Sequence, residues 1–268
     1  MGADAPVRHE FLTQECEVWR MSERRVGSDE TLFRIVEGLD AAGDAGVTEL
    51  AEQLSLSKST VHRHLQTLAA CGFAVNEDGR YRLSHAWFRL GTRVRFRGAF
   101  YRAARDEIRT LSAETGHTTW SAIEEDGRLM FVDGAGSNPT PSPELLVGDW
   151  ADLDETAAGK AILAHLPEPR IERFVETRAA ESGDAVRKTI RASVTTTRDR
   201  GYAVNREGHI SGIYALGMPV IVDRSVRGGL SLASASPSIL NAEHDELVDA
   251  LAAAVRRVER ALTDQDDG

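Results

Sequence analysis

From Asp29 onward the chain sets apolar side chains at Leu32, Ile35, Val36 and Leu39, the i, i+3, i+4, i+7 spacing of one helix face. That pattern predicts a first helix with Asp29 as its N-cap and Gly43 as its stop. A second short helix is expected in VTELAEQL, capped by Thr48, with Leu50, Ala51 and Leu54 facing inward. After a tight turn at Ser55 and Leu56, Ser57 caps a third helix that reaches about Cys71. The following AVNEDGRYRLS makes two short extended runs around Asn76-Glu77-Asp78-Gly79, a hairpin signal. Three helices, a short turn between the second and third, and a hairpin predict a winged helix-turn-helix.

Downstream, HAWFRLGTRVRFRGAFYRAARDEIRTLSAETG predicts a linker helix broken or bent near Gly91 or Gly98. HTTWSAIEE and GRLMFVDGA form an expected strand pair around Asp126-Gly127, and a Pro/Ser-rich loop, GSNPTPSPE, follows. After LLVGDW come a helix TAAGKAILAHL stopped by Pro167, a short helix from Glu168 to Arg178, and another ending at TTTRDRG. Strands are expected at YAVN, YALGMPVIV and VRGGLSLAS, with a closing helix from Asn241 to Thr263. Five or six mainly antiparallel strands flanked by helices make an α+β, sensor-like domain. The expected boundaries are a winged helix-turn-helix over 26–84, the linker helix over 85–100 and the sensor-like domain over 101–264. Residues 1–25 form an extension expected to be disordered or not translated, since Met21 reads as a natural initiator.

Composition changes this picture in two ways. At 268 residues and 41% hydrophobic the chain can bury a sizeable core in about two domains, and it shows neither a long apolar run nor a secretory signal pattern. A cytoplasmic protein is therefore expected, with no membrane partner. Its net charge is -10, yet only Lys58, Lys160 and Lys188 are lysines among 32 basic residues. A salt-adapted, carboxylate-rich surface is favoured over the alternative of arginine codons in a GC-rich genome. Residues 53 to 100 nevertheless hold eight basic and two acidic side chains, a local +6 that leaves -16 on the rest. A basic block in an acidic protein is an electrostatic footprint for a polyanion.

On a helical wheel Val61, Leu65 and Leu68 form the buried stripe of the third helix, and Ser59, Arg63, Gln66 and Thr67 fall on the open side. Arginine can fork to guanine, glutamine can pair with adenine, and hydroxyls reach bases or phosphates. Ser57, Lys58 and Thr60 at the helix start, with His62 beside the stripe, are phosphate candidates, as are Arg80 and Arg82 on the hairpin. His62 and His64 are two positions apart and project away from each other, so no metal site is expected there. Cys16 and Cys71 have no zinc or disulfide spacing, and Cys71 is read as a small buried residue at a helix end. TAAGKA fails as a phosphate loop, because Asp154 stands where a glycine is needed and Ala161 replaces Ser or Thr. The acidic run Asp149, Asp152, Asp154 and Glu155 is read as a solvated loop rather than a cation site. No catalytic constellation stands out, and no cofactor is expected.

VTELAEQLSLSKSTVHRHLQTLAACGF with GRYRLS closely resembles the winged-helix segment of the IclR family of transcriptional regulators, in a halophilic archaeal setting. TAAGKAILAHLP, RDRGYAVNREGHISGIYALGMPV and GGLSLASASPSI resemble its effector domain in the same order, so the likeness runs from about Asp29 to Leu262. It implies a GAF-like effector-binding domain, no enzyme activity, and dimers or tetramers on palindromic double-stranded operator DNA. A small metabolite, commonly of carbon catabolism, would tune regulation. The resemblance places effector-binding N–H groups at Ala157 and Ala158, and pocket side chains at Asn205, Ala215, Ser231 and Ala233. Relatives carry an acid and a cysteine at the positions of Asn205 and Ala215, and PLHAT where this chain has DLDET. The changed polar set points to a sugar-derived or aromatic metabolite, with Trp120, Phe131 and Trp150 either lining the pocket or filling ordinary core. The rival reading is an enzyme or metabolite sensor whose winged helix is a protein-interaction module.

Overall fold

The computed structural model describes residues 26–136, 146–241 and 244–266; the extension over 1–25 and most of the Pro/Ser-rich loop lie outside them. The chain divides into two compact units between Arg93 and Val94.

In the first unit, α1 (Gly27–Ala42), α2 (Val47–Gln53) and α3 (Lys58–Ala70) pack around Ile35, Leu39, Leu50, Val61, Leu65 and Leu68. Gly38 lets α1 close on α2, since a β-carbon there would lie 3.2 Å from Leu50 Cδ2. α1 starts at Gly27, two residues before the expected cap, and α2 starts at Val47. Gly46, rather than Thr48, is the N-cap of α2, because the Glu49 carboxylate reaches back to the Gly46 N–H at 2.9 Å. Ser57 does cap α3, its hydroxyl accepting from the Thr60 N–H at 3.1 Å, a contact that stabilises a helix start by ~1 kcal/mol. Between α2 and α3 the Arg34 guanidinium donates to the Leu54 carbonyl at 2.7 Å, holding the turn against α1. β2 (Ala74–Glu77) and β3 (Arg80–Leu83) form the hairpin through Asp78 and Gly79, both at positive φ, as a two-residue primed turn requires. A two-residue β1 (Ala45–Gly46), not anticipated, pairs with β3 and completes the sheet β1-β3-β2. Cys71 is exposed, a correction to its reading as buried: it is the C-cap of α3, past the Val61/Leu65/Leu68 stripe.

The linker helix α4 (Ala86–Arg97) runs unbroken through Gly91 and stops at Gly98, whose extended backbone starts α5 (Ala99–Thr115). In the second unit, the described residues form one antiparallel six-stranded sheet in the order β6-β5-β4-β9-β8-β7. Its strands are β4 (Thr118–Glu125), β5 (Arg128–Ala135), β6 (Trp150–Asp152), β7 (Ala203–Arg206), β8 (Tyr214–Val222) and β9 (Ser225–Ser234). Between β6 and β7 lie α6 (Ala157–Ala164), α7 (Glu168–Ser182) and α8 (Ala185–Arg200); α9 (His244–Asp266) closes the chain. α7 continues past Arg178 to a glycine stop at Gly183.

The sheet separates two cores. α5 and α9 bury Ile108, Leu111, Leu251 and Val258 against Leu216, Leu230 and Leu232. On the other face α6, α7 and α8 bury Ile162, Ile171 and Ile190 against Trp120, Leu129 and Phe131. A β-bulge brings Asp133 opposite Ser121 while Phe131 stays opposite Ala122. Phe131 thereby keeps to the α6 side, and the buried Asp133 meets Arg95 and Arg109.

Candidate functional sites: an exposed helix face and an interior cavity

The phase of α3 is set by its buried stripe, and the opposite face is left to solvent. Ser57, Lys58, Ser59, His62, Arg63, Gln66 and Thr67 are exposed, and Thr60 is half-buried beneath the cap. The hydroxyls have local work: Ser57 Oγ meets Ser59 Oγ and Thr60 Oγ1, and Thr67 Oγ1 donates to the Arg63 carbonyl at 2.9 Å. Among the described residues Lys58, His62, Arg63 and Gln66 make no side-chain hydrogen bond or ion pair. Their donors are therefore free for an incoming ligand.

The hairpin arginines are differently placed. Arg80 Nε and Nη2 grip the two Asp44 carboxylate oxygens at 2.8 and 3.1 Å, and Nη1 reaches Glu49 at 3.2 Å. Arg82 pairs with Glu77 at 2.9 Å. Hydrogen bonding from Arg80 holds the Asp44 carboxyl below its usual range, and the Gly46 N–H, with Arg80, does the same for Glu49. Both hairpin arginines thus carry a partner that the free cations of α3 lack.

In the second unit, the expected effector positions converge through strand register. Ser231 stands between Trp120 and Gly217, and two residues along the strands Asn205 stands opposite Ala215 and Ala215 opposite Ala233, so residues far apart in sequence fall in one row across β7, β8 and β9 beside the row of Ser231. A cavity opens over that row, with about 40 Å³ open to a water-sized group. Ala157, Asn205, Ala215, Ser231 and Ala233 line it, with Trp120 and Phe131 in edge contact at 5.4 Å. Ala158 is buried one step inside the wall. Trp150 lies elsewhere, under the Arg128 guanidinium at 5.5 Å.

The start of α6 sits on the β8 backbone. A β-carbon at Gly217 would lie 2.4 Å from the Ala157 carbonyl and 2.7 Å from the Ala158 nitrogen, so only glycine admits this approach. Thr156 caps the helix through Gly159 N at 2.9 Å. The result is a mostly apolar pocket with a few polar residues in its wall, Thr156, Asn205, Ser231 and His209, and with Ala157 at the start of α6 beside them. The buried Asn205 Oδ1 already accepts from Lys160 Nζ at 2.6 Å.

Sequence reasoning missed His209, Ile210 and Ile213, which line the cavity from the segment between β7 and β8. His209 Nδ1 lies 3.9 Å from a Glu155 oxygen, and hydrogen bonding to His209 is the main cause that holds the Glu155 carboxyl low. The acidic run is also corrected, because it is not a solvated loop. Arg178, on α7, draws in Asp152, Asp154, Glu155 and Glu181 at 2.8 to 3.2 Å. Burial nevertheless pushes the Asp152 and Asp154 carboxyls up, with Arg178 opposing it.

A capped helix with a free polar face, set in a helix-turn-helix, and a separate domain with a ligand-type cavity define an effector-responsive DNA-binding regulator. Residues 32–78 match the IclR helix-turn-helix domain, and residues 99–260 match the domain described as Bacterial transcriptional regulator IclR C-terminal. The chain belongs to the IclR family of transcriptional regulators, which are not enzymes; this sets aside the rival reading. It is 30% identical over 237 residues to the probable HTH-type transcriptional regulator ArcR of Halobacterium salinarum, covering 85% of this chain and 90% of that protein. Its fold matches an IclR regulator from Alicyclobacillus acidocaldarius with a TM-score of 0.72 at 24% identity, covering 89% of this chain and 100% of that one. An IclR homolog from Microbacterium hydrocarbonoxydans, solved in complex with 4-hydroxybenzoate, matches with a TM-score of 0.73 at 17% identity, covering 88% and 99%. Among the described residues no helix is long and apolar enough to cross a membrane.

Proposed function

We propose that this chain is a homo-oligomeric, sequence-specific regulator whose α3 enters the major groove and whose affinity for its operator is set by a metabolite of carbon catabolism. The observation that carries the DNA reading is the unpartnered trio Lys58, Arg63 and Gln66 on the solvent face of a capped helix. Arg63 and Gln66 read base edges, while Lys58, Ser57, Ser59, Thr60, His62 and Thr67 hold the backbone. Arg80 and Arg82 flank the site as wing cations that must first exchange their carboxylate partners. Footprinting on the DNA upstream of the gene, with Arg63→Ala beside wild type, tests this; equal protection by both proteins would overturn it.

For the effector, an aromatic or sugar acid suits the cavity. Its carboxylate would meet the N–H groups of Ala157 and Ala158, its ring or carbon skeleton would face Trp120 and Phe131, and its hydroxyls would meet Asn205 and Ser231. The 4-hydroxybenzoate complex of the structurally similar Microbacterium protein supports the aromatic arm. The space of about 40 Å³ means that such a ligand must displace side chains as it enters. Thermal shift with 4-hydroxybenzoate, a sugar acid and glyoxylate separates the classes. Stabilisation by glyoxylate alone would sink the proposal. Homo-oligomers are supported by Phe88 and Val94 on α4, which are 74% and 71% exposed. Light scattering should report a dimer or tetramer, and a monomer at micromolar concentration would contradict that.

A further inference from the structure

A second, larger cavity of about 370 Å³ lies on the far side of Lys160, between α8 and the edge strand β7. We propose that it is a binding site for a small dianion of the phosphate class, free or carried on a metabolite, separate from the cavity over α6.

Three cations converge on it: Lys160 from α6, Arg200 at the end of α8 and Arg206 at the end of β7. Arg200 and Arg206 make no hydrogen bond or ion pair among the described residues. The wall's carboxylate, Asp154, is shared with Arg178 at 3.0 Å and offsets part of the Lys160 charge, leaving the two guanidinium groups without an ion-pair partner among the described residues. α8 adds hydroxyls at Thr189, Ser193 and Thr197, four residues apart and therefore on one helix face. Unpaired cations around a concavity focus positive potential into it, and hydroxyls supply the short donors that phosphate oxygens need. The volume of about 370 Å³ falls at the low end for small-molecule sites.

Lys160 adds the strongest argument. The chain has three lysines, and this one is partly buried, with its ammonium held below its ordinary range by burial first and by Arg206 as a like charge, against the opposing pull of Asp154 and Glu155. Its one hydrogen bond is to the neutral Asn205 carboxamide at 2.6 Å. A desolvated ammonium only partly offset by Asp154 and Glu155, beside two guanidinium groups with no partner among the described residues, is a set of donors that an anion would satisfy.

The test is isothermal titration of the full chain with inorganic phosphate at low ionic strength, with chloride at matched ionic strength as the control. Wild type should give saturable heat with phosphate and none with chloride. Arg200→Ala and Arg206→Ala should each weaken phosphate binding about tenfold, the loss expected for one charge-assisted hydrogen bond. Arg89→Ala, an exposed arginine elsewhere, should leave it unchanged. Both cavity arginines are exposed, so circular dichroism should show both variants folded. Lys160→Gln should weaken binding as well. Absence of saturable heat in wild type, or equal binding by wild type and the Arg200→Ala/Arg206→Ala double variant, would overturn the site. Neither outcome depends on 4-hydroxybenzoate binding, so failure of the effector proposal is read separately.

Discussion

The face of α3 and the cavity beside α6 are built in opposite ways. The first draws its side chains from eleven consecutive residues, Ser57 to Thr67, and keeps them outside the core. The second gathers Trp120, Phe131, Ala157, Asn205, His209, Ala215 and Ser231 from seven segments, and most of these also fill the core. The difference teaches where function and stability separate. On the open face of α3 a side chain can be removed without disturbing a packed neighbour, whereas most residues of the cavity wall also hold up a strand or a helix start. Substitutions in the second unit should therefore register first as lost stability, and those on α3 as lost affinity at constant stability.

The largest expected effect is at Gly217. Valine there drives a side chain into the Ala157 carbonyl, at a contact that would be 2.4 Å from the first added carbon, and the neighbour is backbone that cannot rotate away. Gly217→Val should cost the effector domain about 3 kcal/mol or more, seen in calorimetry as a lowered transition. A variant with unchanged melting that still binds effector would show that α6 can lift off β8, and the contrast between the two regions would fail.

Next is Arg178. Removing it leaves Asp152, Asp154 and Glu155 partly buried without their shared cation, an expected loss of about 3 kcal/mol, the low end for buried pairs because the carboxylates are not fully enclosed. The pH dependence has a definite sign. The folded-state carboxyls of Asp152 and Asp154 are raised, so the stability they contribute is full below their unfolded range and is lost as pH rises through their folded values. Without Arg178 they rise further. The deficit of Arg178→Ala against wild type should be largest at neutral pH and shrink towards pH 4, as denaturant midpoints at several pH values would show. A deficit that stays constant across this range would mean that Arg178 acts through packing alone.

Legibility in the sequence follows the same division. The helix-turn-helix could be read from periodicity because its elements are local: the stripe of α3, the Ser57 cap and the Asp78-Gly79 turn each lie within a few residues. β1 escaped because two residues carry no period. In the second unit the strands and helices were legible one by one, but no spacing shows that Asn205, Ala215 and Ala233 stand in one row, since that depends on register across three strands. A family resemblance supplied those positions. Nothing supplied His209, in an irregular segment, or the pairing of Arg178 with Asp154, 24 residues away across a helix. The acidic run looked solvated because composition reports charge and cannot report a distant cation.

Of intermediate size is Arg63→Ala, expected to weaken operator binding by about 2 kcal/mol, roughly thirtyfold, and to relax preference at the base it contacts. Its melting temperature should stay with wild type, because the side chain is exposed and touches no described partner. Equal loss of affinity on specific and unrelated DNA would recast Arg63 as a backbone contact.

The smallest effect on DNA binding is expected at Arg80, and it tests whether the wing belongs with the free face or with the packed interior. The guanidinium is committed to Asp44 and Glu49, so any phosphate contact must replace those bonds, and the net gain from DNA is small. Removing a cation that makes no phosphate contact leaves the salt dependence unchanged, whereas Lys58→Ala should reduce the slope of log K against log salt by ~0.9. Arg80→Ala should instead lower the stability of the first unit slightly at neutral pH. Asp44 and Glu49 have depressed folded-state carboxyls, so the stability from their pairing is present above their unfolded range and lost as pH falls through their folded values. The difference between Arg80→Ala and wild type should accordingly fade in acid, and the pairing acts opposite in sign to the effect of burial on Asp152 and Asp154. If Arg80→Ala takes as much from the salt slope as Lys58→Ala does, the Asp44 pair opens on DNA and the wing is part of the reading surface.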